Sequence, residues 1–155
     1  MRNILSIFTI LILISSCGFK VVDRSKLDSF DIFEITTSGE KRINYKLKNK
    51  LLFNSKKNEK KLIALHIDTV KNKKIKEKNI KNEVTKYSIE LIIKVKLKNL
   101  SDDVKREFTI RRLGEFNVSS QISQTANNEK KMIELLIEEI SDEILNELIN
   151  SINVI

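Results

Sequence analysis

Between Val84 and Lys98 the chain keeps a two-residue rhythm: Ile89, Leu91, Ile93, Val95 and Leu97 alternate with Glu90, Lys94, Lys96 and Lys98. Successive side chains of a strand point to opposite faces, so this period requires a sheet that is buried on one side and wet on the other. A helix would scatter these five apolar residues around its circumference. The apolar face therefore needs a second layer to cover it.

Other extended segments share the pattern. Leu62 to Lys76 begins with Ile63, Leu65 and Ile67 on one face. Asn99 to Asp103 reads as a turn, after which Val104 to Val118 pairs with the preceding strand as a hairpin, with Val104, Phe108 and Ile110 inward. Arg106 interrupts that alternation, and the isolated Gly114 marks a bulge or bend. Upstream, Phe30, Ile32 and Ile35 with Thr36 and Thr37 form a short strand ended by Ser38 and Gly39.

The covering layer is helical. Ser38 offers a cap, and Ile43, Leu47 and Leu51 recur at i, i+4, i+8, predicting an amphipathic helix over about Glu40 to Phe53. Asn54 to Lys61 is a charged turn, and the polar run 119–128 is irregular. A long helix follows from about Asn128 to Ser151, with Ile133, Ile137, Ile140, Ile144, Leu148 and Ile152 as its stripe and Met132, Leu136 and Leu145 beside it. The expectation is an α+β two-layer sandwich, with two helices packed on one face of a four-stranded, mainly antiparallel sheet in the order β-α-β-β-β-α.

The first residues have a different character. Arg2, the apolar stretch Ile4–Ile14 and the small residues before Cys17 have the anatomy of a secretory signal. Ile14-Ser15-Ser16-Cys17 resembles the lipobox of bacterial lipoproteins, in which the cysteine is acylated with palmitate-class chains and becomes the first residue. The stretch is shorter than the roughly 20 apolar residues of a membrane span. The resulting division is 1–16 as a cleaved signal, 17–29 as a lipidated tether and 30–155 as a single domain. Gly18, where an aspartate would favour inner-membrane retention, leans towards the outer membrane.

Composition narrows the chemistry. The formal charge is +8, and all but six of the 29 basic residues are lysine. Lysine, asparagine and isoleucine dominate, as in AT-rich coding sequence, which weakens the charge as evidence of a polyanion partner. Its sign still favours anionic surfaces such as lipid phosphates. Cys17 is the only cysteine and His66 the only histidine, so no disulfide and no zinc-type metal site is expected. His66, on the strand face opposite Ile63, Leu65 and Ile67, has no neighbouring nucleophile in sequence and reads as structural. Glu138-Glu139 and Asp142-Glu143 read as a solvated helix face, and Gly18, Gly39 and Gly114 are too isolated to cradle phosphate. The expectation is a non-enzymatic protein with no cofactor. The run Lys71–Lys81 reads first as a solvated hairpin loop and second as a docking patch for a phosphate-bearing glycolipid. Nucleic acid is disfavoured by export and by the lack of interleaved aromatics.

Together these pieces resemble the LPS-assembly lipoprotein LptE family. The resemblance is carried by Cys17-Gly18-Phe19, by the strand–helix–strands–helix order, by the tyrosine-led strand Tyr87-Ser88-Ile89-Glu90-Leu91, and by Ala126-Asn127-Asn128-Glu129-Lys130-Lys131-Met132-Ile133 leading into the last helix. It implies an outer-membrane protein facing the periplasm, seated as a plug in the LptD β-barrel, assisting its assembly and binding lipopolysaccharide. It further implies lipid contact by Lys78 and Lys81 before the tyrosine strand, and by Lys130 and Lys131 near the last helix, where Ala126 stands at the position of a family lysine. The long polar C-terminal tail of some members is missing. The competing expectation is another outer-membrane lipoprotein, an envelope assembly factor or a lipid carrier. A third class, a cytosolic nucleic-acid module, requires residues 4–14 to be a core helix.

Overall fold

In the computed structural model, which describes residues 30–54, 62–100 and 104–153, the alternating segment is strand β3, Val84–Asn99. Around it stand β1 (Asp31–Gly39), α1 (Lys41–Asn54), β2 (Leu62–Lys78), β4 (Lys105–Asn117) and α2 (Ile122–Asn153). The sheet order is β1-β2-β3-β4. β2, β3 and β4 form an antiparallel meander, and β1 lies parallel to β2 across the α1 crossover. The predicted two-layer α+β order is the observed one. The charged turn 55–61, residues 101–103 and the first 29 residues, Cys17 included, lie outside the described residues.

One face of the sheet and one stripe of each helix share a single core. Ile63, Leu65 and Ile67 of β2 and Ile89 to Leu97 of β3 meet Ile43, Leu47 and Leu51 of α1 and Leu136, Ile137, Ile140, Ile144, Leu145 and Leu148 of α2. Full burial of each such aliphatic side chain is worth about 1.5–3 kcal/mol before conformational entropy is subtracted. Ile133 and Phe108, expected inside, are half-buried at the margin of this core, and Val104 is likewise half-buried. The side chain of Ile152 lies outside the described residues.

Strand β1 resolves an oddity of its own spacing. Phe30 and Ile32 are two apart but Ile35 is three further on, which in a regular strand would put Ile35 on the wet face. A bulge at Phe33 absorbs the extra residue: Ile32 pairs with Ile63 while Glu34 pairs with Ala64. Ile32 and Ile35 are both buried and Phe33 is pushed out to solvent.

Three expectations are corrected. Ser38 is not a helix cap; it belongs to β1, and its hydroxyl donates to Asp68 Oδ1 at 2.6 Å. The run 119–128 is not irregular, because α2 begins at Ile122, secured by Ser119 N–H donating to Thr125 Oγ1 (2.9 Å) and Gln121 N–H to Ser119 Oγ (3.3 Å). Those first turns overhang the core with Ile122 exposed, so they carry no apolar period to read. Gly114 marks no bulge, since the β3–β4 register runs unbroken from Lys86–Asn117 to Lys98–Lys105. The glycine makes room for α2: a Cβ at 114 would come 2.8 Å from Met132 Cγ and 3.3 Å from Leu136 Cδ1. Gly114→Val is expected to lower stability by about 1–2 kcal/mol through this overpacking. Adding Met132→Ala should restore most of the loss, read as a shift of the urea midpoint.

Candidate functional site

The β2–β3 hairpin outruns its neighbours. β1 stops at Gly39, opposite Thr69, and β4 stops at Asn117, opposite Lys86. Beyond these points Val70–Lys78 has no strand partner on its β1 side among the described residues, and the strands pair with one another as far as Lys78–Val84. The lysine run is therefore largely strand, not loop, and only its last residues lie in the turn. Strand geometry sends its lysines to alternate faces, where many find carboxylates that the sequence does not place beside them. Lys73 reaches Glu129 of α2 at 2.6 Å, Lys76 reaches Glu115 at 3.2 Å and Lys86 reaches Glu77 at 2.8 Å. The hydrogen bond from Lys86 to Glu77 holds the ammonium above its ordinary pKa.

The tip is a preformed turn. Asn79 Oδ1 accepts from the N–H groups of Lys81 (2.9 Å) and Glu83 (3.0 Å), and Asn82 takes a left-handed φ of 63°, which asparagine tolerates. Lys78 donates to Asn82 Oδ1 at 2.9 Å. Lys81 is exposed and Ile80 between them is wholly so. The tip thus presents an apolar residue flanked by two lysines.

Lys130 lies elsewhere. It lines an open groove of about 520 Å³ between α1 and α2, whose apolar floor is Ile43, Ile133 and Ile137 and whose rim includes Ala126, Arg42 and Lys71. Lys131 is exposed on α2 outside that lining. The hairpin meets α2 at Lys73, whose ammonium sits 4.4 Å from the Tyr87 ring centroid and 5.1 Å from that of Phe116, the two rings stacked at 5.6 Å. Lys78 is five strand residues beyond this junction, roughly 16 Å away. The four candidate lysines accordingly form two places, a hairpin tip and a groove. Lys73, Tyr87, Phe116 and Glu129, which join the two, escape a sequence reading because strand register alone brings them together.

The acidic face of α2 is only partly solvated. Glu134 and Glu138 pair with Lys46 (2.6 Å) and Lys50 (3.2 Å) of α1, and Arg112 of β4 bonds Glu143 and lies 3.7 Å from Glu139. The Lys46 hydrogen bond holds the Glu134 carboxyl below its ordinary pKa. These pairs tie both neighbours to α2, although half-exposed ion pairs contribute little stability.

His66 is half-buried on the open face of the sheet, with Nδ1 2.9 Å from Thr36 Oγ1 and Nε2 3.4 Å from Ser38 Oγ. Ser38 already gives its proton to Asp68, so the hydroxyl is not poised to be deprotonated by the imidazole. Among the described residues there is no cluster able to hold a metal ion and no helix long and apolar enough to cross a membrane.

No protein-family profile and no curated protein matches the chain. Solved structures do. A candidate lipoprotein from Caulobacter crescentus superposes with a TM-score of 0.56 at 13% identity, over 84% of this chain and 94% of that one. Rare lipoprotein B from Shewanella oneidensis reaches a TM-score of 0.49 at 12% identity, over 78% of this chain and 94% of that one. The Caulobacter likeness shows a shared fold over most of both chains.

Proposed function

We propose that this chain is an outer-membrane lipoprotein, acylated on Cys17, that serves as plug and assembly partner of an LptD-type β-barrel and binds lipopolysaccharide on its way to the outer leaflet. The observation that supports this reading best is the placement of the basic hairpin. Residue 30 enters β1 beside Leu62, and the turn after Lys78 lies at the opposite end of β2, roughly 50 Å away. Acyl chains contribute about 0.8 kcal/mol per buried CH₂, enough for two or more chains to hold the domain while its far end serves another partner. Lys78 and Lys81 supply point charges for lipid phosphates, and Ile80 between them an apolar contact. Lys130 and Lys131 extend the basic surface along α2. The role is one of binding, with no catalytic step assigned to any residue.

Two experiments test the reading. Extraction of the native protein from outer membrane in mild detergent should recover a large β-barrel protein in stable complex, and recovery without any barrel overturns the plug assignment. Cys17→Ser is expected to move the protein out of the membrane fraction or block its maturation. Full membrane retention of a processed Cys17→Ser chain would remove the anchor from the proposal. An envelope assembly factor of the same fold would keep the anchor and show neither barrel nor lipopolysaccharide.

A further inference from the structure

α1 carries Lys41, Arg42, Lys46, Lys48 and Lys50 and not one carboxylate. Its two flanks differ sharply in what they meet. Lys46 and Lys50 turn towards α2 and are matched there by Glu134 and Glu138. The side away from the core presents Lys41, Tyr45, Lys48 and Leu52, spaced i, i+4, i+7, i+11, so they form one stripe along the helix. Arg42, Asn49 and Phe53 border it on the edge towards Lys46 and Lys50, and every one of these seven residues is exposed. Three are large and apolar: Tyr45 is 69% exposed, Leu52 40% and Phe53 89%. Lys41 and Arg42 also stand in the first turn, where the helix dipole disfavours cations.

From these observations we infer that the outer face of α1 docks on an anionic bilayer surface. An interfacial helix has one face in apolar contact, cations at phosphate level and low overall hydrophobicity. On α1 the aromatic and leucine side chains enter the headgroup region while Lys41, Arg42 and Lys48 meet lipid phosphates. Lys48 Nζ lies 3.3 Å from the Ile35 carbonyl, so its stem runs along the β1 side and its charge borders the same surface. The carboxylates of α2 that would oppose docking, Glu134 and Glu138, are engaged by Lys46 and Lys50 on the intervening flank. The surface also has the right reach. α1 runs back from the end of β1, with Lys48 beside Ile35, and residues 17–29 extend to about 45 Å at most. The inference rests on the membrane-anchored half of the proposed function and is independent of the barrel. Docked in this way, the free lipoprotein lies with its sheet along the membrane and its hairpin parallel to the surface.

The chain contains no tryptophan, so Phe53→Trp installs a single fluorophore on the docking face and Leu113→Trp one on the open face of the sheet, where Leu113 pairs with Glu90, both at exposed positions. Each full-length acylated variant is reconstituted on vesicles of phosphatidylethanolamine and phosphatidylglycerol bearing brominated acyl chains. Emission from the Phe53→Trp variant is expected to shift to the blue and to be quenched about twofold or more, and that from the Leu113→Trp variant to be unaffected. Changing both Lys41 and Arg42 to Glu should abolish the quenching. An unquenched Phe53→Trp variant that floats with the vesicles overturns the docking face and leaves the anchor standing. Equal quenching of the two variants, or quenching on neutral phosphatidylcholine vesicles, also overturns it. Protein that fails to float counts against the anchor instead. Mixing that soluble Phe53→Trp protein with the same anionic vesicles then decides docking alone, by whether its fluorophore is quenched.

Discussion

Gly39→Val is expected to lower the stability of the domain by about 3–5 kcal/mol. Gly39 closes β1 with a φ of +83°, a conformation that costs an L-residue roughly 1–2 kcal/mol and a β-branched one more. The second cost is steric. A Cβ at this position would lie 3.0 Å from the carbonyl carbon of Thr69 and 3.1 Å from its nitrogen, and backbone cannot rotate out of the way as a side chain can. The close approach lets the Glu40 N–H donate to the Thr69 carbonyl at 3.1 Å, which joins the start of α1 to β2. A domain of this size has about 5–15 kcal/mol in hand, so the change consumes a large part of it. Urea unfolding should show a lower midpoint with an unchanged slope. A midpoint within error of the parent would mean that the β1–β2 junction is looser than this geometry implies.

Asn44→Leu should cost about 2–4 kcal/mol, although it places a helix-favouring apolar residue on the inner face of a helix. Asn44 is 3% exposed and stands in the first turn of α1. Its Nδ2 donates to the Ser38 carbonyl at 2.7 Å, and its Oδ1 accepts from the Thr69 hydroxyl at 2.5 Å. Leucine would strand that buried hydroxyl and a carbonyl, and an unpaired buried polar group costs about 1–3 kcal/mol. Thr69→Val alone should be destabilising for the same reason, since it leaves the amide oxygen without its donor. The double variant should lose less than the sum of the two, because both halves of one hydrogen bond are then absent. Strict additivity in thermal or urea denaturation would show that the pair contributes independently.

These two sites mark a boundary in what sequence reading reaches. The alternation of Ile89 to Leu97 and the stripes of α1 and α2 are local properties, set by the periods of strand and helix, and they place the order β-α-β-β-β-α with element ends mostly within a residue or two. The errors fall where periodicity is silent. The opening turns of α2 are polar apart from Ile122 and Ala126 and carry no apolar period, so nothing distinguishes them from a loop until the hydrogen bonds of Ser119 and Thr125 are seen. Ser38 looks like a cap by type and place, yet its strand partner Asp68 takes the hydroxyl. The candidate site is legible to the same degree. Lys78 and Lys81 sit on the hairpin where their run suggests, whereas the separation of the tip from the groove of Lys130 depends on how far β2 and β3 outrun β1 and β4.

By itself, then, the sequence determined the layers: which residues face a core, how many strands and helices supply it, and the basic character of the surface. Tertiary structure decided everything that depends on register. The bulge that reconciles Ile32 with Ile35, the glycine approach at Thr69, the Asn44–Thr69 bond and the Lys73–Glu129 junction all arise from pairing between residues far apart in the chain. The physical reason is that burial of apolar area is non-directional and can be met by many arrangements. Hydrogen bonds and close backbone contacts are directional, and one pairing of the strands satisfies them together.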